Sequence, residues 1–166
     1  MCGVLDPPAL AVDLGSGAGI PGLALAGLWP DSRWVLVDAA QRRTKLLEET
    51  VEALGWGERV AVVHGRAEDV GRDPRFRARA DLVTSRSFGP PAVVAECGAP
   101  FLAPGGVLAV TEPPGSAGDR WPSAPLRQLG LVEGGTRNGV QLLRLAEVTP
   151  DEFPRRSGIP AKRPLF

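Results

Sequence analysis

The sequence has little that would place it in a membrane, in an oxidising compartment or around a metal ion. No apolar run among its 166 residues reaches the roughly 18–20 residues of a membrane helix. No basic stretch precedes an apolar one near the N-terminus, so no signal peptide is expected. Two cysteines and one histidine, without a Cys-x-x-Cys pair, favour neither a disulfide framework nor a metal site. We therefore expect a cytoplasmic protein without a metal ion, in which Cys2 and Cys97 are free thiols.

Charge of either sign is not in excess. Lysine plus arginine and aspartate plus glutamate each number 19, so the formal net charge is zero. A nucleic-acid partner would therefore depend on local basic clusters rather than on the overall field. Nearly all of the positive charge is arginine, since Lys45 and Lys162 are the lysines of the chain. The length of the chain suits one α/β domain, expected to span residues 1–166.

Short apolar runs alternate with helical patterns along the chain. The runs predict strands, and helical spacing or a proline near a first turn predicts the helices between them. Strands are expected at residues 9–14, 34–37, 60–63, 81–84 and 107–111, and helices at residues 21–28, 41–54 and 92–102. A terminal pair of runs, 131–132 and 141–148, lies on either side of a glycine-rich turn. The alternation predicts an α/β fold with a mostly parallel sheet covered by helices on both faces.

Two segments show no clear period. Residues 112–125 are rich in proline, glycine and serine, which predicts a long loop. Residues 153–166 carry three prolines and four basic residues. By composition alone, this basic tail is typical of a disordered end.

A glycine-rich turn follows the first predicted strand and opens the first predicted helix. It reads DLGSGAGIPG, from Asp13 to Gly22. Glycines let the backbone turn tightly and approach a ligand, and the start of a helix supplies unpaired amides. Gly17, Gly19 and Gly22 fit the dinucleotide pattern G-x-G-x-x-G. Asp13 and the glycines at 15, 17 and 19 fit D-x-G-x-G-x-G, which resembles motif I of the class I methyltransferases. A glycine turn without a ligand is the third interpretation.

Asp38 ends the second predicted strand. At this position a carboxylate can accept both hydroxyl hydrogens of a ribose. NAD and S-adenosylmethionine both carry that ribose, so the position does not separate them. A cap for the helix that begins at Gln41 is the alternative role, and the two roles can coexist.

Five segments occur along nearly the whole chain in an order typical of one protein family. They are DLGSGAGIPG, VDAAQRRTKLL, HGRAED, DLVTSRS and FPRRSGIPAKRPL, of which the last is the most specific. Together they resemble the bacterial glucose-inhibited division protein B family. The resemblance implies a class I (Rossmann-like) methyltransferase fold with an antiparallel last strand and an ordered tail. It also implies methyl transfer from S-adenosylmethionine to ring nitrogen 7 of a guanine in small-subunit (16S) ribosomal RNA.

The resemblance further implies roles for individual residues. Those expected to bind S-adenosylmethionine are Asp13, Gly15, Ser16, Gly17 and Gly19 around the methionine and ribose, Asp38 at the ribose, and Ala67 and Glu68 at the adenine. Those expected to contact RNA are Arg42, Arg43, Arg155, Arg156, Lys162 and Arg163. Arg86, after the fourth strand, is expected to face the active site and position the substrate. No general base is expected, because guanine nitrogen 7 has a lone pair and loses no proton.

Three features depart from the family pattern. The family usually has a helical segment before the glycine loop, where few residues stand here. Ser87–Pro90 replace small apolar residues after Arg86, and Glu112–Pro114 replace a lysine and glycine after the fifth strand. An acid that faces RNA phosphate is unfavourable, which favours a substrate other than RNA. Two other functions stay open. One is a methyltransferase that acts on a small molecule or a protein, and the other is a non-catalytic domain that binds nucleotide or RNA.

The remaining candidate residues favour structural roles. His64 has no evident partner acid or nucleophile. The basic cluster of Arg72, Arg75, Arg77 and Arg79 is expected to be a solvated surface, with an RNA patch as the alternative. The four tryptophans lack the spacing of a stacking platform and are expected in packing or on the surface. Arg86 has an alternative role as the ion-pair partner of a nearby carboxylate.

Overall fold

Seven strands form one sheet in the computed structural model, which describes residues 5–116 and 120–166. The strands are β1 (Leu10–Leu14), β2 (Arg33–Asp38), β3 (Val60–His64), β4 (Ala80–Ser85), β5 (Leu102–Thr111), β6 (Leu131–Arg137) and β7 (Val140–Leu145). Their order in the sheet is β3-β2-β1-β4-β5-β7-β6. The first five strands pair in parallel, whereas β7 is antiparallel to both β5 and β6. The predicted α/β fold, mostly parallel with an antiparallel last strand, is confirmed.

Helices cover both faces of this sheet. The helices in the described ranges are α1 (Gly22–Leu28), α2 (Gln41–Ala53), α3 (Ala67–Val70), α4 (Pro91–Gly98), α5 (Ser123–Gln128) and α6 (Ile159–Lys162), with a 3₁₀ turn at Ala99–Phe101. In β1, Val12 joins a core cluster with Val94 of α4 on one face, whereas Ala11 joins a second cluster with Leu25 of α1 and Leu47 of α2. Because strand side chains alternate with period two, each central strand supplies both clusters. Its sequence is therefore a nearly continuous apolar run.

The last two strands form a hairpin around Asn138 and Gly139. Both residues have positive φ angles, 50° and 71°, as the tight two-residue turns of antiparallel hairpins require. The glycine-rich turn predicted between the terminal strands is confirmed. β6 extends to Arg137, well beyond the two apolar residues that marked it, because this strand is exposed along most of its length.

Some element boundaries differ from the sequence pattern. The predicted helix at 92–102 ends at Gly98, and β5 begins at Leu102 rather than at residue 107. The register between β4 and β5 shifts at Ala80 and Leu82, so the extra residues of β5 form an irregular start to the strand. The helices α3, α5 and α6 were not predicted, because four to six residues are too few for a helical period to show.

The carboxyl ends of the five parallel strands lie at one edge of the sheet. The segments that follow those ends carry the glycine turn, Asp38, residues 65–66, Arg86 and Glu112. Ligands of open α/β sheets bind outside this edge. None of the helices in the described ranges is long and apolar enough to cross a membrane. Cys2, and residues 117–119 of the predicted loop, lie outside the described part of the chain.

The tryptophans serve packing, as expected. Trp34 and Trp121 are almost completely buried, and Trp29 stacks on Trp34 with ring centroids 6.3 Å apart. Trp56 lies beneath the guanidinium of Arg59, 4.5 Å from its ring centroid.

Candidate active site

The glycine turn after β1 is a loop held in left-handed backbone conformations. Gly15, Gly17 and Gly19 have φ angles of 65°, 56° and 90°, which glycine adopts without strain. The amides of Gly15 and Ser16 both donate to the carbonyl of Val37, at 2.8 and 3.1 Å. A Cβ atom at Gly15 would lie 2.7 Å from Cδ2 of Phe88. The loop therefore lies against β2 on one side and against the segment after β4 on the other.

Asp13 supports this loop from behind. Its side chain is fully buried, with Oδ1 accepting a hydrogen bond of 2.6 Å from Thr84 Oγ1 and Oδ2 accepting one of 3.2 Å from the amide of Gly22. Burial raises the pKa of Asp13 to about 6, although these two hydrogen bonds act in the opposite direction. Because its side chain is fully buried, Asp13 supports the loop from within the fold, and the expected contact with the cofactor stays a prediction.

Asp38 joins the end of β2 to the glycine loop. Its Oδ2 accepts a hydrogen bond of 2.9 Å from the amide of Gly17, and its Oδ1 accepts one of 2.8 Å from the amide of Ala40. Arg43 Nη1 lies 3.7 Å from Oδ2. Ala40 immediately precedes α2, so Asp38 binds the residue before the helix rather than an amide of its first turn. The sequence predicted a functional role for Asp38, but nothing in it predicted the hydrogen bond to the amide of Gly17.

A mostly apolar crevice of about 200 Å³ opens beside Asp38. We call it the Asp38 crevice; its walls include Gly15, Asp38, Ala67, Glu68, Phe88, Val93 and Ala161. The four sequence-predicted residues in this group come from three different segments. Phe88 and Ala161 were missed, because nothing in the local sequence shows that they close the same space.

The basic tail closes one side of the Asp38 crevice. Arg155 forms a two-pronged contact with Glu96 of α4, from Nε to Oε1 at 2.8 Å and from Nη2 to Oε2 at 2.6 Å. The Glu96 side chain is completely buried, whereas that of Arg155 is 28% exposed. The amide of Gly158 donates to Glu68 Oε1 at 2.8 Å, and Ala161 then lies in the crevice wall.

Two sequence-based interpretations of basic residues change as a result. The compositional expectation of a disordered tail is wrong, because Glu96 of α4 and Glu68 of α3 hold the tail in place. The guanidinium of Arg155 is held in the fold, which differs from the free RNA contact that the resemblance implies. A lone acid within the apolar stretch of α4 was the available signal for such a partner.

Arg77 also binds the tail, although the sequence grouped it with a solvated cluster. Its Nη1 donates to the carbonyl of Phe153 at 2.7 Å and its Nη2 donates to that of Thr149 at 2.9 Å. The side chain is only 17% exposed. Arg75 fits the expected surface role, since its side chain is 78% exposed and pairs with Asp73.

A second cavity, of about 370 Å³, lies beyond Phe88. We call it the Glu112 cavity; its polar walls include Ser85, Arg86, Ser87, Glu112 and Arg120, and its apolar walls include Phe88 and Trp121. Ser85 Oγ is buried and has no hydrogen-bond partner in the described part of the chain. An open concavity of about 490 Å³, the glycine-loop opening, is lined by the glycine loop, Arg43 and Arg86. Arg86 thus lines both the Glu112 cavity and the glycine-loop opening, and Phe88 lines both the Glu112 cavity and the Asp38 crevice.

The other predicted basic residues are exposed around this edge. Arg42 and Arg43 lie in the first turn of α2, and Arg156, Lys162 and Arg163 lie in the tail. His64 is exposed at the end of β3, where its Nε2 is 3.2 Å from the carbonyl of Ala39. Within residues 5–116 and 120–166, no group of three or more His, Cys, Asp or Glu residues could hold a metal ion.

Comparisons with known proteins bear on this site. A family model described as rRNA small subunit methyltransferase G (GidB) matches residues 4–112. The ribosomal RNA small subunit methyltransferase G of Symbiobacterium thermophilum is 38% identical over 177 residues, covering 97% of this chain and 72% of that protein. The protein of the same name from Roseiflexus castenholzii is 39% identical over 173 residues, covering 97% of this chain and 73% of that protein. The crystal structure of the antibiotic-resistance methyltransferase Kmr has a TM-score of 0.66 at 18% identity, covering 83% of this chain and 86% of that chain.

The sheet order and the glycine loop at its carboxyl edge define a class I methyltransferase, whose methyl donor is S-adenosylmethionine. Within that class, the chain belongs to the rRNA small subunit methyltransferase G (GidB) family. The family resemblance found in the sequence is confirmed.

The burial of Asp13 predicts a pH dependence of folding. Its pKa is raised to about 6, so the folded state keeps a proton that the unfolded chain releases at lower pH. Asp13 therefore contributes most stability below its unfolded pKa, and this contribution is lost as the pH rises through about 6. The size of the shift corresponds to about 3 kcal/mol. We expect the stability of Asp13→Asn relative to wild type to increase between pH 4 and 7, as measured by urea unfolding. Parallel pH profiles of the two proteins would contradict the assignment.

The contact between Arg155 and Glu96 predicts a loss of stability when the arginine is removed. Arg155→Ala removes the opposite charge from the buried carboxylate of Glu96, which keeps the hydrogen bond from the amide of residue 155. Loss of the charged partner of a buried ion costs about 3–5 kcal/mol, and we expect urea unfolding to show a decrease of up to this size. Arg156→Ala is the matched control, since the neighbouring side chain is exposed, and its stability should equal that of wild type. Equal stability of both variants would show that Arg155 is free for another partner.

Proposed function

We propose that this chain transfers a methyl group from S-adenosylmethionine to ring nitrogen 7 of a guanine in small-subunit (16S) ribosomal RNA. Its family supports the reaction, since the relatives carry the name ribosomal RNA small subunit methyltransferase G. One observation supports placing the reaction at this site: Phe88 lines both the Asp38 crevice and the Glu112 cavity. A methyl donor in the first space and an acceptor base in the second would meet beside that side chain.

The residues around the Asp38 crevice fit S-adenosylmethionine. Ala67 and Val93 offer apolar surface for the adenine, and the carboxylate of Asp38 offers lone pairs to the ribose hydroxyls. The loop offers a place for the methionine end, because Gly15 borders both the crevice and the glycine-loop opening. Ser16 and Gly17 line the adjoining opening. Asp13 supports this loop from within the fold.

The reaction asks little of side chains as acids or bases. S-adenosylmethionine supplies an electrophilic methyl group, and guanine nitrogen 7 supplies a lone pair without releasing a proton. The protein's task is to hold the two in line, and alignment of reactants can contribute up to ~7–11 kcal/mol in ideal cases. Phe88 gives both spaces an apolar surface, beside which the two reactants would meet.

Arg86 is the residue we assign to orienting the base. It lies just after β4 and lines both the Glu112 cavity and the glycine-loop opening. Oxygen 6 of guanine is next to nitrogen 7 on the same edge and accepts hydrogen bonds from arginine. Ser85 lines the same cavity, and its buried hydroxyl has no hydrogen-bond partner in the described ranges.

The exposed basic residues provide the positive surface that a neutral protein needs for RNA. Arg42 and Arg43 lie on one side of the openings, while Arg156, Lys162 and Arg163 lie in the tail that closes the Asp38 crevice. Each phosphate that such residues neutralise releases counterions, so RNA affinity should fall as salt rises. Arg155 belongs to this surface only through the tail that it anchors.

Methylation of a small molecule or a protein is the alternative suggested by the acid after β5. Glu112 is not an isolated negative charge, however, because Arg120 pairs with it at 2.5 Å. The pairing removes the electrostatic objection to an RNA substrate. A non-catalytic domain that binds nucleotide or RNA would not need two cavities that share a wall.

Methyl transfer to RNA tests the proposal directly. We expect labelled S-adenosylmethionine to methylate small-subunit particles, or their RNA, from cells that lack the 7-methylguanine. Asp38→Asn keeps the shape of the side chain but removes its charge. Because hydrogen bonds to charged groups contribute about 1.5–3 kcal/mol, this variant should bind the cofactor about tenfold more weakly, as measured by calorimetry. Transfer to protein or small molecules alone, with none to RNA, would favour the alternative.

Arg86→Ala should lower the rate of methyl transfer far more than the affinity for the cofactor. In the described part of the chain, Arg86 makes no salt bridge. The melting temperature of the Arg86→Ala variant should therefore stay near that of wild type. Arg86→Lys, which keeps the charge but not the planar group, should recover only part of the rate. A variant that loses melting temperature but not rate would show that the arginine is a structural ion-pair partner.

A further inference from the structure

Glu112 is a buried acid with two partners from the segment that follows it. Its side chain is only 5% exposed. Oε2 accepts a hydrogen bond of 2.5 Å from Arg120 Nη1, and Oε1 accepts one of 2.8 Å from the indole nitrogen of Trp121. Because Trp121 is itself 2% exposed, the carboxylate cannot rotate without breaking a contact. The direction of the Arg120 side chain is therefore fixed at the wall of the Glu112 cavity.

Arg120 is paired but still available to a ligand. Its side chain is 33% exposed and lines the cavity together with Arg86. A guanidinium has five N–H donors in a planar fork. In the described part of the chain, the hydrogen bond from Nη1 to Glu112 is its one contact with a protein acceptor. Most of the donors can therefore face a molecule in the cavity.

The chemistry of the RNA substrate limits which of its groups could accept hydrogen bonds from Arg120. If guanine nitrogen 7 faces the methyl donor, oxygen 6 on the same edge faces Arg86. The remaining acceptors that carry charge are phosphate oxygens, and their geometry matches the fork of a guanidinium. We propose that Arg120 binds a phosphate of the RNA strand at the target nucleotide, and that Glu112 is a positioning residue that holds Arg120 in place. This inference rests on the function proposed above.

The proposal predicts that an acid strengthens RNA binding, which is opposite to the usual effect of a negative charge on RNA affinity. Removing a negative charge from an RNA site should ordinarily raise affinity. Here Glu112→Gln should lower the affinity for unmethylated 16S ribosomal RNA, because Arg120 loses its charged anchor. In an Arg120→Ala background there is no arginine to position, so the same Glu112→Gln change should raise the affinity.

The experiment measures RNA affinity by filter binding across a range of salt concentrations. Arg120→Ala should weaken binding about tenfold, as for a lost charge-assisted contact, and should make the logarithmic salt slope shallower by about 0.7–0.9. Arg127→Ala is the matched control, because it removes an exposed arginine from nearby α5 and should leave RNA affinity at high salt and transfer rate near wild type. Affinity for S-adenosylhomocysteine should be unchanged in all variants, which separates loss of RNA contact from loss of fold.

Three outcomes would overturn the inference. They are a salt slope that Arg120→Ala leaves unchanged, an increase in RNA affinity from Glu112→Gln in both backgrounds, and RNA affinity of Arg120→Ala equal to that of the Arg127→Ala control. If Arg120→Ala fails to fold because Glu112 is left unpaired, the Glu112→Gln and Arg120→Ala double variant supplies the salt slope. If the wild-type protein methylates ribosomal RNA and any of these outcomes is observed, this inference alone is refuted and the proposed function stands. Wild-type protein that neither binds nor methylates the RNA would refute the proposed function and this inference together.

Discussion

The buried carboxylate of Asp13 is the interaction on which the geometry of the site depends. It lies at the carboxyl end of β1, where it binds Thr84 of β4 and the first amide of α1. A loop of left-handed glycines has no side chains with which to fix itself, so its position is set by what binds its ends. Asp13 holds the loop from behind and Asp38 holds it at Gly17. The two acids together determine where a ligand can approach the backbone, and burial makes the first of them costly to ionise.

Other buried acids attach peripheral segments to the same core. Glu96 binds Arg155, Glu68 binds the amide of Gly158, and Glu112 binds Arg120. The tail and the segment after β5 also bury apolar side chains, Phe153 and Trp121, so the acids add a fixed geometry to hydrophobic docking. A buried carboxylate is unfavourable unless it is hydrogen-bonded, so each acid ties its partner to one geometry. The walls of the Asp38 crevice and of the Glu112 cavity are built from segments fixed by these contacts.

Much of the architecture could be predicted from local patterns, because apolar runs, helical spacing and glycine clusters act over few residues. The five parallel strands, the hairpin and the glycine loop follow from them. Helices of four to six residues carry too little periodicity to be seen, and the irregular start of β5 depends on pairing with β4. In the site, Asp38 and Arg86 were predictable because each ends or follows a strand. Phe88 was not, because its importance lies in lining two cavities formed by distant segments.

By itself, the sequence determined the parallel sheet, the edge at which a ligand would bind and the family to which the chain belongs. Hydrophobic periodicity and the conformational freedom of glycine are properties of short segments, and the family motifs are contiguous. Only the tertiary structure decided which charges are free. Arg155 is held by Glu96, 59 residues away in the chain, whereas Arg156 beside it is exposed. The charge of a side chain is set by its residue type, but its availability to a partner depends on which segments the fold brings within hydrogen-bonding distance.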